Sequence, residues 1–165
     1  QTDMVYDFCA ANSEWALPGK GASTKMYTHY RMSKVNKPTS RAYGMDLVLV
    51  DTDKYKDMIA GRMRKKIEEK GSWTVYAGCD REYAEQVTAE HKVNVKKGGR
   101  TVQEWVQKHS HGDNHYLDCE VYAMCAADIM DVRFLYLEDE AEKPAGPAPA
   151  ATPEEDWIKA HENWI

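Results

Sequence analysis

His115 and Asp118 are the side chains whose types and spacing point most directly to chemistry. Three residues apart on a helix, they project from the same side, close enough for both to address one ion. Carboxylate with imidazole or water is a usual shell for Mg2+ or Mn2+, and cleavage of a phosphodiester uses such an ion to activate water and offset charge on the leaving oxygen. Asp118 also lies in line with Tyr122, Cys125 and Ile129, an otherwise apolar stripe where an unpaired charge is costly and a positive neighbour is expected. The same spacing has a plainer explanation. Asp113 or Asn114 is the N-cap, Asp118 benefits from the positive helix end, and His115 is a surface residue. On spacing alone this explanation is the commoner one, because His-x-x-Asp on a helix often arises by accident.

Four further groups have types that suit a charged ligand or a partner. Lys20 precedes a flexible glycine and is placed to reach a phosphate, or is a solvated turn lysine. Lys92, Lys96, Lys97 and Arg100 concentrate positive charge around a Gly-Gly turn, where they straddle a DNA backbone or form a solvated basic turn. Asp51 and Asp53 are metal-ligand types, but a helix-cap role accounts for either and is favoured. Trp157, Ile158, Trp164 and Ile165 recur at helical spacing in a segment too short to be stable alone, which makes them anchors for a partner surface. Trp73 and Trp105 read as packing residues rather than stacking platforms.

The elements that must position these residues follow from pattern. Thr2 caps a helix to about residue 12, with Met4, Val5, Phe8 and Cys9 on its buried face. Residues 15–17 form a short apolar piece, and Pro18-Gly19-Lys20-Gly21 reads as a turn. Residues 26–32 alternate as a strand, and residues 46–50 are an apolar run suited to a buried strand. Asp51 or Asp53 then caps a helix with Met58, Ile59, Met63 and Ile67 inward and a stop at Gly71. Residues 73–77 are a candidate strand, and Asp80 caps a short helix through Tyr83, Ala84 and Val87. Val93 and Val95 lead into the hairpin turn Lys97-Gly98-Gly99-Arg100, after which Val102, Trp105 and Val106 resume as strand or shift to a helical register. The strongest helix runs from Asn114 to about Val132, with Leu117, Val121, Tyr122, Met124, Cys125, Ile129 and Met130 as a wide apolar stripe.

The organisation expected is a folded domain over residues 1–138, an Ala/Pro/acidic linker over 139–155 and a short amphipathic tail over 156–165. With 165 residues the chain suits one domain with a real core. Its 42% hydrophobic and 30% charged residues are ordinary for a soluble globular protein, with no membrane span and no secretory signal, so a cytoplasmic setting is expected. A net charge of −5 argues against a protein that coats nucleic acid, although the acid gathered at residues 138–142 and 154–156 leaves the body nearer neutral. Cys9, Cys79, Cys119 and Cys125 lack zinc-site spacing and are expected to be reduced.

The run Asn114-His115-Tyr116-Leu117-Asp118-Cys119, followed by Val121-Tyr122-Ala123 and Ala126-Ala127, resembles the last acidic motif of phage large terminases of the lambda-like branch. Further pieces are similar and fall in that family's order: Val5-Tyr6-Asp7-Phe8-Cys9, Lys20-Gly21, Asp53-x-x-Lys56-Asp57 and Gln86-Val87-Thr88-Ala89-Glu90. Together they span most of residues 1–133. The resemblance implies the later part of an α/β nuclease domain of RNase H-like fold, lacking its first strands, which uses two metal ions (Mg2+ or Mn2+) to cut concatemeric viral DNA during packaging in the bacterial host cytoplasm. It also implies double-stranded DNA, the portal protein and the small terminase subunit as partners. Asp118 would be the third essential acid, with His115 beside it, and Lys20, Lys96, Lys97 and Arg100 would contact DNA. The family's other two acids would lie upstream of Gln1, so the chain is expected to be an incomplete fragment, inactive unaided. No GxxxxGK[ST] phosphate loop is present, in keeping with the absence of the family's motor. The alternative role is a non-catalytic docking module whose tail binds the portal or another packaging partner.

Overall fold

Asp46–Val50 carries Leu47, Val48 and Val50 into the interior, and the main sheet is arranged around it in a computed structural model that describes residues 2–110 and 112–135. As β3 it pairs in parallel with β1 (Gly19–Gly21) and antiparallel with β2 (Tyr30–Lys34), giving the order β1-β3-β2 with Lys20 opposite Leu49 and Met32 opposite Val48. The sequence predicts a turn at residues 18–21, and the structure makes most of it a strand. The glycines serve close approach instead of a bend: a Cβ on Gly19 would lie 3.3 Å from Cε1 of Tyr122, and one on Gly21 would lie 3.3 Å from Cγ2 of Thr52.

The strand predicted over residues 26–32 begins only at Tyr30. Before it, the backbone is claimed elsewhere. Met26 N donates to Asp51 Oδ2 at 3.0 Å, and Lys54 Nζ donates to the carbonyls of Met26 and Tyr27 at 2.7 and 2.6 Å.

Of the face predicted for α1 (Thr2–Ala11), only Cys9 is buried, while Met4, Val5 and Phe8 stay exposed and Phe8 meets Trp15 edge-on at 5.6 Å. Asp51 caps α2 (Thr52–Met63) by accepting from Lys54 N at 3.3 Å, as expected. The helix stops at Met63 rather than near Gly71. Ile67 is exposed, and Trp73 N donates back to Arg62 O at 3.1 Å, holding residues 73–77 as loop where a strand is predicted.

Asp80 caps α3 (Arg81–Val87) through Tyr83 N at 2.8 Å. The hairpin follows: β4 (Glu90–Lys97) and β5 (Arg100–Gln107) pair antiparallel around Gly98 and Gly99, whose φ values of 56° and 76° suit the two-residue turn. β5 stays extended through Trp105 and Val106 and does not shift to a helical register. The last α-helix among the described residues, α4 (His115–Ile129), buries Leu117, Val121 and Cys125; its stripe is narrower than predicted, since Met130 and Tyr122 remain exposed.

The principal core joins Val48 and Val50 of β3, Tyr55 and Ile59 of α2, and Leu117, Val121 and Cys125 of α4. Each fully buried aliphatic side chain there contributes about 1.5–3 kcal/mol. Buried Tyr55 satisfies its hydroxyl by donating to Asp128 Oδ2 at 3.1 Å. A second cluster, Val35, Ala42 and Leu47, lies with Tyr6 and Ala10 of α1 against it. Among the described residues the architecture is mixed α/β, two small sheets with four α-helices, which fits the α/β class expected.

The chain divides into units Gln1–Arg133 and Phe134–Ile165, and the elements above all lie in the first. The linker and tail expected over residues 139–165, with Trp157, Ile158, Trp164 and Ile165, lie outside the described residues. Among the described residues, no helix is long and apolar enough to cross a membrane.

Candidate metal centre at the head of the last helix

Asn114 stands at the N-cap of α4, yet its side chain makes no capping bond. Its amide Nδ2 donates instead to Glu90 Oε1 at 2.7 Å. The cap position expected from sequence is therefore occupied without the cap bond. A second tie holds the same turn: Tyr116 N donates to Oε1 of buried Gln86 at 3.3 Å.

From this turn project the two predicted residues. Asp118 is partly buried, and removal from water raises its carboxyl pKa; Lys56 opposes that rise, Glu90 adds to it, and His115 opposes it. No described residue donates a hydrogen bond to its carboxylate. His115 is open to solvent, its side chain 79% exposed, with Nε2 at 3.7 Å from Asp113 Oδ1. The two residues share a helical turn, as the spacing predicts.

The positive neighbour expected beside Asp118 is Lys56. Its ammonium lies 2.9 and 2.8 Å from the two oxygens of Glu90, and the two side chains are only 10% and 5% exposed. The sequence suggests no role for Lys56 or Glu90, and for Tyr122 only packing in the stripe of α4. Each stood inside a stretch singled out for resemblance, but contact between residues 34 positions apart leaves no periodic signal. Tyr122, one helical turn beyond Asp118, has its hydroxyl pKa raised by burial and then by the Asp118 charge.

Among the described residues, no group of three or more His, Cys, Asp or Glu side chains could hold a metal ion. Asp118 and His115 offer one carboxylate and one imidazole. That donor set suits Mg2+ or Mn2+, which keep several waters and are often held by one or two carboxylates together with substrate phosphates. Glu90 does not extend it, because Lys56 and Asn114 already occupy its oxygens. Asp51 is likewise committed, to Lys54 N and Met26 N, in the capping role expected.

Lys20 is not brought to this centre. Gly19, Val48 and Val50 line a cavity with Tyr122 on the α4 side of the sheet, whereas Lys20 lines a cleft with Tyr6, Leu47 and Leu49 on the other. The hairpin cations also separate. Lys92 sits low on the ribbon, 2.6 Å from both oxygens of Asp57, which accepts from Trp105 Nε1 at 3.1 Å. Lys97 pairs with Glu104 at 2.5 Å. Lys96 and Arg100 are exposed and form no ion pair among the described residues.

The four cysteines are free; Cys9 and Cys125 are buried, which raises their thiol pKa values, and Cys119 is exposed.

The described residues form an α/β domain that carries Asp118 and His115 at the head of α4 and exposed cations at the tip of its hairpin. The chain belongs to the family described as the terminase large subunit gpA, endonuclease domain, whose model matches residues 1–141. No curated protein and no solved structure matches the chain. Membership in that family makes this an endonuclease domain of the DNA-packaging machinery, with DNA as its substrate.

Proposed function

We propose that this domain cuts concatemeric viral DNA during genome packaging by metal-dependent hydrolysis, as part of a lambda-like terminase large subunit with an RNase H-like nuclease fold. The observation that carries the reading is Asp118, a partly buried carboxylate without a hydrogen-bond donor, on the same turn as an exposed imidazole. Asp118 and His115 would hold Mg2+ or Mn2+, which in a two-ion site activates water and offsets charge on the leaving oxygen. Further ligands to the ions would come from residues other than those described.

Lys96, Lys97 and Arg100 would grip the DNA backbone at the ribbon tip, and Lys20 would meet it on the far side of the sheet. The setting would be the bacterial host cytoplasm. The portal and the small terminase subunit would be packaging partners, with Trp157, Ile158, Trp164 and Ile165 as anchors; portal binding that survives deletion of residues 154–165 would remove that part.

The deciding experiment is Asp118→Asn in the full-length large subunit carrying this domain, assayed for Mg2+- or Mn2+-dependent cleavage of double-stranded DNA. Loss of cleavage with DNA binding retained is expected. Undiminished cleavage would show that the metal is held elsewhere.

A further inference from the structure

Building on the reading of Asp118 as an ion-holding carboxylate, we propose that Asn114 is a positioning residue whose bond to the buried Lys56–Glu90 pair sets the first turn of α4, and with it the aim of Asp118 and His115 at a divalent ion.

Asn114 forgoes its customary role. Asparagine at an N-cap ordinarily accepts from an amide in the first turn, a bond whose loss costs about 0.5–2 kcal/mol. Here the side chain turns away to Glu90 Oε1 at 2.7 Å, while its own carbonyl accepts the Asp118 amide at 3.1 Å. One residue therefore both starts the helical ladder at Asp118 and fastens that start to another part of the protein.

The fastening point is unusually fixed. Glu90, the first residue of β4, is held through both oxygens by Lys56 of α2, and both side chains are nearly shut off from water. A buried ion pair of this kind is a poor route to stability, since apolar residues of similar volume often serve as well or better. Its placement fits a different task. It joins α2, β4 and the head of α4 at one point, and Gln86 of α3 adds a second strap at Tyr116 N. Side chains that orient metal ligands from behind typically contribute 10- to 100-fold to metal affinity.

The test is Asn114→Ser in the nucleotide-free full-length subunit, with Mn2+ binding read by titration calorimetry, cleavage by Mn2+ dependence and folding by thermal unfolding. Serine caps helices as well as asparagine but is too short to reach Glu90. The expected result is a Tm equal to or above that of the parent, with a Kd for Mn2+ raised about 10- to 100-fold. Unchanged Mn2+ affinity in the folded variant would overturn the proposal. Asn114→Gly, also accepted at N-caps, gives a second reading of the same quantity should the serine variant fold poorly. Asp118→Asn run alongside separates the two ideas. If it binds Mn2+ as the parent does, the reading of Asp118 fails; if it loses Mn2+ while Asn114→Ser keeps it, only the positioning role fails.

Discussion

Lys56 Nζ lies 2.9 and 2.8 Å from the two carboxylate oxygens of Glu90, joining the middle of α2 to the start of β4 beside the turn that presents Asp118. Each charge is buried on the strength of the other.

Breaking that pair from one side should be far more damaging than replacing it. Lys56→Met leaves Glu90 an uncompensated buried carboxylate and is expected to cost about 3–5 kcal/mol in denaturant unfolding. The double change Lys56→Met with Glu90→Leu should recover most of the loss, because no lone charge remains. Equal stabilities for the single and double variants would show that the two charges are not coupled.

Asp118 contributes to the pH dependence in the sense opposite to a salt-bridged carboxylate. Burial raises its pKa, and a carboxyl whose folded pKa exceeds its unfolded value stabilises the fold fully below the unfolded pKa and loses that contribution as pH rises through the folded pKa. The ionised group therefore burdens the metal-free fold at neutral pH. Asp118→Asn should raise Tm at pH 7 in chelator. The gain should shrink as pH falls toward the unfolded carboxyl value of about 3.9. Scanning calorimetry at several pH values checks this, and a lower Tm for the variant at pH 7 would contradict it.

Gly19 should resist enlargement although it lies on an exposed strand. A Cβ would meet the Tyr122 ring at 3.3 Å, so the larger side chain of Gly19→Val crowds that ring against α4. Overpacking of this kind costs about 1–3 kcal/mol. Gly98→Val, with nothing near its Cβ but a φ of 56°, should also destabilise, through backbone strain and without disturbing α4. Near-UV circular dichroism of Tyr122's surroundings separates the two effects.

The ribbon cations should differ in their hold on DNA. Lys96→Ala and Arg100→Ala should each weaken binding and reduce the slope of log affinity against log salt by about 1. Lys97→Ala should do less, since Glu104 already pairs with that ammonium at 2.5 Å. Equal losses at all three positions would mean that the Lys97–Glu104 pair opens on DNA.

Local rules made much of the frame legible in the sequence. The Asp51 and Asp80 caps, the Gly98-Gly99 turn and the buried strand 46–50 each depend on chemistry within a few residues, and each stands as expected. The misreadings arise where distant contacts overrule local ones. Gly19 and Gly21 read as turn formers because nothing nearby tells of Tyr122 and Thr52 pressing on them. Residues 26–29 alternate like a strand, but Asp51 and Lys54 take their backbone groups. Trp73 has the composition of a strand residue and is tied to the end of α2. At the centre itself, spacing placed His115 and Asp118 on one face, while the Lys56–Glu90–Asn114 network behind them was invisible because its members come from three separate elements.

Among the described residues, the hairpin closes its own backbone hydrogen bonds, and its side-chain bonds to the rest fall at Glu90, Lys92, Gln103, Trp105 and Gln107, away from its tip. Its outer end therefore behaves as an interchangeable fingertip. Length and charge there can change without disturbing the head of α4.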